Sequence, residues 1–279
     1  MRPLPLEANT LSSFYPGAGR IGAFRHQPGL DPSHAEDWIA STTPRTGAAP
    51  LGLTTLPDGS LLADRFAAEP SSWFGPEYTA RDIAAAELSG WVARQDTEAL
   101  LANCNRVSVS AGDVIFCPGS MPHAIGTGIL MLEIQEMTDF SIMLEWAGFP
   151  LDPDGLFLGL DQDVALSAVR REAVAGQDLE ALRGQCIRAL ATGQTGAMPL
   201  LPASAAEYFG AEQIIPSGDE LRLEPRFSVL VVNEGEGTLS CEASEPVEVA
   251  AGQIYLVPYA AGTTSLRGDL SAIRCYPAL

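Results

Sequence analysis

The sequence predicts a mainly β protein made of two similar antiparallel barrel units, the first incomplete, joined by a helical insert. Three observations predict it. A strand–turn–strand pattern occurs twice, "VSVSAGDVIFCP" at 107–118 and "VEVAAGQIYLVP" at 247–258. Val107, Val109, Ala111, Gly112 and Pro118 recur at one fixed offset as Val247, Val249, Ala251, Gly252 and Pro258. The 21 prolines and 27 glycines are spread along the chain, which favours many short elements joined by turns. Between the copies, "DQDVALSAVRREAVAGQDLEALRGQCIRALAT" (161–192) has the apolar spacing of one or two amphipathic helices.

Each element follows from local pattern. The opening residues, 1–75, are rich in Gly and Pro, with short strands expected at "RIGAFR" and "LGLTTL" and a helix near "SHAEDWIAST", with Ser33 as its cap. Leu88, Trp91, Val92, Leu100 and Leu101 follow helical spacing over 87–104. Each copy of the repeat then reads as a strand of alternating apolar residues, a Gly turn, a second apolar strand, and a Pro-led connection into a third. Upstream of the second copy, "FSVLVVNEGEGTLSCEA" (227–243) reads as a strand, a Gly-rich hairpin turn and another strand. The first copy has no such hairpin. These readings divide the chain into an incomplete barrel over 1–150, a helical connection over 151–200 and a second barrel over 201–279.

Composition narrows the function. Apolar residues make up 46% of the 279, an ordinary value for a globular chain. All 16 basic residues are arginine, so lysine chemistry such as a Schiff base or a Walker-type phosphate loop is excluded. A net charge of -19 argues against nucleic acid and anionic membrane surfaces as partners. One or two local arginines suffice for an anionic small substrate. Cysteines at 104, 117, 186, 241 and 275 show no C-x-x-C spacing and read as buried reduced thiols. "MRPLPLEANT" lacks the apolar core of a signal peptide and no run approaches a membrane span, so a soluble, cytoplasmic protein is expected.

The chemistry concentrates in "GDVIFCPGSMPHAIGTGILMLEIQE" (112–136). Gly112, Pro118 and His123 fall at the spacing of the second cupin motif; Ser120 stands for its second Gly and Thr127 for its Asn. In the second copy Gly252 and Pro258 persist but Thr263 occupies the His position. The expected fold is thus a double-barrel bicupin of jelly-roll type. A Pro-led bend would re-aim the chain so that the His123 ring points into the barrel mouth. "HAIGTGILMLEIQEMTDFS" further resembles the type I mannose-6-phosphate isomerase family, and "EDWIASTT" (36–43) resembles that family's Glu-x-Trp-x-x-Ser segment. The resemblance implies a zinc enzyme of carbohydrate metabolism that interconverts mannose 6-phosphate and fructose 6-phosphate. It implies that His123 is a zinc ligand, Glu133 the proton-transferring carboxylate and Gln135 a contact to the sugar phosphate. Strand parity fits, since Glu133, Gln135, Asp139 and Ser141 share one side, and Leu130, Leu132, Ile134, Phe140 and Ile142 the other.

The chain departs from the family in places. The Gln-x-His pair, the Lys-Thr-Glu segment and the downstream Arg have no counterpart, and the first metal-binding motif is missing. The passage of "GPEYTARDI" straight into the helix marks 77–83 as where such a segment would be lost. A lone imidazole does not hold zinc, which takes about three protein ligands in catalytic sites. His123 therefore reads either as a metal ligand or as a barrel-mouth histidine satisfied by hydrogen bonds. His26 and His34 read as surface residues, and the tryptophans as core. The alternative to the isomerase is a catalytically silent cupin that binds a sugar or a partner protein.

Overall fold

The computed structural model describes residues 3–13, 17–42, 45, 51–68, 91–95, 97, 100, 105–126, 128–136, 141–148, 151, 155–170, 174, 177–217 and 219–278. Ten strands are assigned among them: β1 (Leu4–Pro5), β2 (Thr10–Leu11), β3 (Glu36–Asp37), β4 (Gly196–Pro199), β5 (Phe209–Ile215), β6 (Leu221–Leu223), β7 (Ser228–Cys241), β8 (Ser244–Ala250), β9 (Ile254–Val257) and β10 (Thr264–Pro277). The α-helices whose bounds lie among the described residues are α1 (Arg20–Phe24), α2 (Leu62–Ala68), α3 (Trp91–Arg94), α4 (Gln162–Leu166) and α5 (Gln177–Glu180). The protein is mainly β, as predicted. Eight strands form one antiparallel sheet in the order β1-β9-β7-β10-β5-β4, with β6 added to β10 and β8 to β7, while β2 and β3 pair separately.

The long strands β7 and β10 run antiparallel at the centre of this sheet, and a β-bulge interrupts their register. Below it Ala272 faces Val232; above it Ser271 faces Glu234, so Asn233 is the extra residue. A bulge flips side-chain parity along the bulged strand. Leu230 and Val232 accordingly share a core with Leu239, which an unbroken strand would have sent to the other face. The displaced Asn233 is held in place, because Ser271 Oγ donates to its Oδ1 at 3.0 Å and itself accepts from Gln213 Nε2 at 2.8 Å.

Period-two alternation gives the sheet two apolar faces. Leu230, Val232, Tyr255, Val257, Leu266, Leu270 and Ala272 bury on one. On the other, Val231, Ile254, Leu256, Ile273 and Cys275 meet Leu6, Leu56 and Leu62 from the N-terminal part of the chain. Phe66 of α2 packs edge-on against Phe227 at 5.3 Å between ring centroids. Two further ties bind this layer. Pairing of Leu4 with Leu256 places β1 on the edge of the C-terminal sheet. Gly252, at φ +85°, accepts the close approach of α1: a Cβ there would lie 2.2 Å from the Phe24 carbonyl.

Several elements differ from expectation for identifiable reasons. "EGEG" is no hairpin turn; it lies inside β7, where a Cβ on Gly237 would sit 2.1 Å from the Arg267 carbonyl of β10. The hairpin falls later, between Cys241 and Ser244. "RIGAFR" forms α1 instead of a strand. "LGLTTL" contributes only an isolated bridge, Thr55 to Leu61. Ser33 caps no helix, because its Oγ and backbone N–H both donate to Asp31 and the chain runs on into β3. Among the described residues of 161–192, only α4 and α5 are α-helical. Most of the helix expected over 87–104 lies outside the described residues, as do 77–83, Thr127, Asp139 and Phe140.

The repeat is visible in the turns, not in the strands. Gly112 and Gly252 both have positive φ, +92° and +85°. Asp113 N–H donates to the Ser110 carbonyl and Gln253 N–H to the Ala250 carbonyl, each at 3.1 Å. The side chains of Asp113 and Gln253 in turn accept from the backbone N–H of Ser110 and Ala250. After the shared proline, Met121 N–H donates to Pro118 and Ala261 N–H to Pro258. Yet where the second copy forms β8 and β9, residues 107–118 form no strand. Residues 112–116 instead lie along 182–187, joined by Ile187 N–H to Gly112 O, Gly184 N–H to Val114 O and Phe116 N–H to Leu182 O. Strand conformation is stabilised by a partner. In the second copy that partner is β7, and the sequence of the first copy has no equivalent of β7.

The central pairing is testable. Leu270→Ala, at a side chain with no exposed surface, is expected to cost about 2–5 kcal/mol in urea unfolding. Gly237→Ala is expected to cost about 1–3 kcal/mol through overpacking against β10. Unchanged midpoints in both variants would contradict the β7–β10 crossing.

Candidate functional site

The Pro118 turn delivers His123 at the start of the next segment, with Ser120 in the left-handed region at φ +70°. The imidazole Nδ1–H donates to the Met121 carbonyl at 3.0 Å. A carbonyl can only accept, so this bond sets the tautomer of the neutral ring and leaves the Nε2 lone pair unengaged by Met121. His123 is exposed, and it lines neither the cleft of about 250 Å³ beside β4 and β5 nor the one of about 500 Å³ along β7 and β8.

Glu133 is the electrostatic hub. Loss of hydration at its carboxyl, although the residue as a whole is exposed, raises its pKa above the ordinary carboxylate value. The nearby His123 opposes that rise and the nearby Glu36 adds to it. Glu133 in turn helps push the Cys117 thiol up, after the larger effect of desolvation. Glu36 comes from the far end of the sequence: β3 pairs Glu36 with Leu11, and Trp38 Nε1 donates to Glu36 Oε2 at 2.8 Å. Neighbouring Asp37 accepts from Asn9 N–H at 2.8 Å and faces buried Arg25 at 3.6 Å. The fold therefore brings the Glu-x-Trp segment and the Glu-x-Gln segment into one electrostatic neighbourhood.

The remaining sequence candidates divide. Gln135 is exposed, as are Leu130 and Leu132, whereas Ile134 packs against the core. His26 is exposed; half-buried His34 shares a hydrogen bond of 2.9 Å with Thr10 Oγ1. Trp146 packs edge-on against Phe157 at 5.6 Å, while Trp38 is tied to Glu36. Of the cysteines expected to be buried, Cys275 is, but Cys117 and Cys186 are exposed; all four that are described are free thiols. Cys117 was not singled out as a site residue, although its place just before Pro118 puts it beside the His-bearing turn. Among the described residues no three His, Cys, Asp or Glu converge as metal ligands, so this donor set does not fit catalytic zinc. Among them too, no helix is long and apolar enough to cross a membrane.

No protein-family model matches the sequence, and no curated protein matches it. Among solved structures, the chain is similar to a glutamate-to-alanine variant of phosphomannose isomerase from Salmonella typhimurium, at 14% identity over 35% of this chain and 24% of that one, with a TM-score of 0.28. A lysine-to-alanine variant of the same enzyme gives 14% identity over 36% and 24%, with a TM-score of 0.30. A zinc-bound mannose 6-phosphate isomerase gives 14% over 35% and 23%, with a TM-score of 0.29. The matched part spans about a quarter of those chains.

The Glu133 environment makes a signed prediction. A carboxyl whose folded pKa is raised holds its proton more tightly when folded, so its contribution to stability is present at low pH and is lost as pH rises through the folded value. Glu133→Gln removes that loss. Thermal melts between pH 4 and pH 7 are expected to show the variant gaining on the native chain as pH rises; a constant difference would refute the desolvated carboxyl.

Proposed function

We propose that this chain is a mannose-6-phosphate isomerase-like bicupin of carbohydrate metabolism, with an incomplete first barrel over 1–150, a helical connection over 151–200 and a second barrel over 201–279. What carries the reading is the grouping of His123, Glu133 and Glu36, since the segments that bear the family resemblance converge electrostatically on one carboxyl. The substrate is a small sugar phosphate. Glu133, whose raised pKa brings it closer to neutrality, moves a proton between C1 and C2 of the sugar through an enediol. His123, with Nδ1–H committed to Met121, presents Nε2 to a substrate hydroxyl, and Gln135 supplies a further polar contact. Zinc, the cofactor that the family resemblance implies, enters no step, because the donors among the described residues do not meet its requirement.

A second reading has its own support: the lack of three convergent ligands among the described residues favours a catalytically silent cupin that binds a sugar or a protein. A coupled assay with mannose 6-phosphate separates the two. Turnover above background, lost in the His123→Ala, Glu133→Gln double variant, is expected for the isomerase. No signal at high protein concentration, together with saturable calorimetric binding of sugars without metal, is the signature of the binding module. Zinc content after purification in metal-containing medium is expected to stay well below one per chain; a full equivalent would overturn the assignment of a metal-free site.

A further inference from the structure

The cleft beside β4 and β5 takes no part in the chemistry above. It holds about 250 Å³, and its lining includes Arg188, Gln194, Thr195, Met198, Gln213 and Ile215. Arg188 is the one charged residue in that lining. Its backbone is clamped: Arg188 N–H donates to Gln213 Oε1 at 2.9 Å, and Gln213 Nε2 donates to the Arg188 carbonyl at 2.7 Å. Gln213 is 1% exposed, and its other amide hydrogen goes to Ser271 Oγ, so the clamp is anchored in the bulge network of β7 and β10.

The guanidinium, by contrast, is uncommitted. Arg25, Arg65, Arg183, Arg222 and Arg274 each face a carboxylate, whereas Arg188 forms no ion pair among the described residues. Arg20, Arg45, Arg106, Arg226 and Arg267 form none among them either, but of these Arg188 alone lines the cleft. A cation beside a concavity, unpaired among the described residues, attracts an anion, and the planar guanidinium matches two oxygens of a phosphate or carboxylate. The other walls refine the ligand. Gln194 and Thr195 offer an amide and a hydroxyl to hydroxyl groups, while Met198 and Ile215 form an apolar side. The volume falls just below the ~300–1,000 Å³ of drug-sized ligand pockets, which restricts the occupant to a small molecule.

We infer that this cleft binds a small hydroxylated oxyanion, a phosphomonoester or a hydroxycarboxylate, anchored by Arg188. The site stands apart from His123 and Glu133 and does not require the isomerase reading. Its test is a heteronuclear NMR titration of the full chain with inorganic phosphate, glycerol phosphate, malate and neutral glycerol at constant ionic strength. Saturable shifts confined to 188–199 and 213–215 are expected with the organic anions, the tighter of glycerol phosphate and malate identifying the source. Arg188→Ala is expected to weaken that binding at least about tenfold, with Arg188→Lys recovering part of it. His123→Ala is expected to leave it unchanged. The clamp uses only the Arg188 backbone, so an unaltered spectrum elsewhere will show that the variants fold. Absence of saturable shifts up to about 50 mM anion, equal binding in a folded Arg188→Ala protein, or the same shifts from glycerol would each overturn the site.

Discussion

The antiparallel pairing of β7 with β10 is the constraint on which the rest of the structure depends. Both strands run for 14 residues, and every other strand of the large sheet attaches to one of them directly or through a neighbour. Glycines let the two backbones close at Gly237 and Gly268, and the bulge at Asn233 then rotates the upper half of β7. That rotation decides which side chains meet. Leu239 joins the core of Leu230 and Val232, while Asn233, Ser271 and Gln213 are left to satisfy one another at the bulge. A flat, unbulged pair would bury neither set in this way.

Charge is organised around the same frame. Among the described residues, desolvation raises the pKa of two carboxyls, at the N-terminal layer and its border. Asp37 is desolvated against buried Arg25, which raises its pKa despite the opposing effects of Asn9 and the guanidinium. Glu133 is desolvated near Glu36 and His123. Carboxyls of this kind hold protons at higher pH than fully hydrated ones, a property that suits proton transfer but also follows from packing alone.

Much of the second repeat was legible in the sequence, and for a physical reason. "VEVAAGQIYLVP" alternates apolar residues around a glycine that must take positive φ, and it folds as β8, a turn and β9. The similarly patterned "VSVSAGDVIFCP" keeps the turn yet forms no strand. Local pattern was sufficient for the turn, whose hydrogen bonds close within four residues, but not for a strand, whose partner lies elsewhere in the chain. The glycines of "NEGEG" were misread because close strand crossing and tight turning make the same demand on a sequence, the absence of a Cβ. At the site, the resemblance pointed to His123, Glu133 and Gln135. Cys117 and the Arg188 cleft carry no spacing signal; only the folded chain brings Gln213 and Arg188 together.

The edge strand β1 has a consequence for how the polypeptide assembles. Leu4 finds its partner at Leu256, so β1 must wait for a segment far downstream in the chain before it can be sheltered. Closing so long a loop is entropically slow, and Leu6 remains in water until then. Assembly of the N-terminal layer is thereby paced by formation of the sheet that serves as its template.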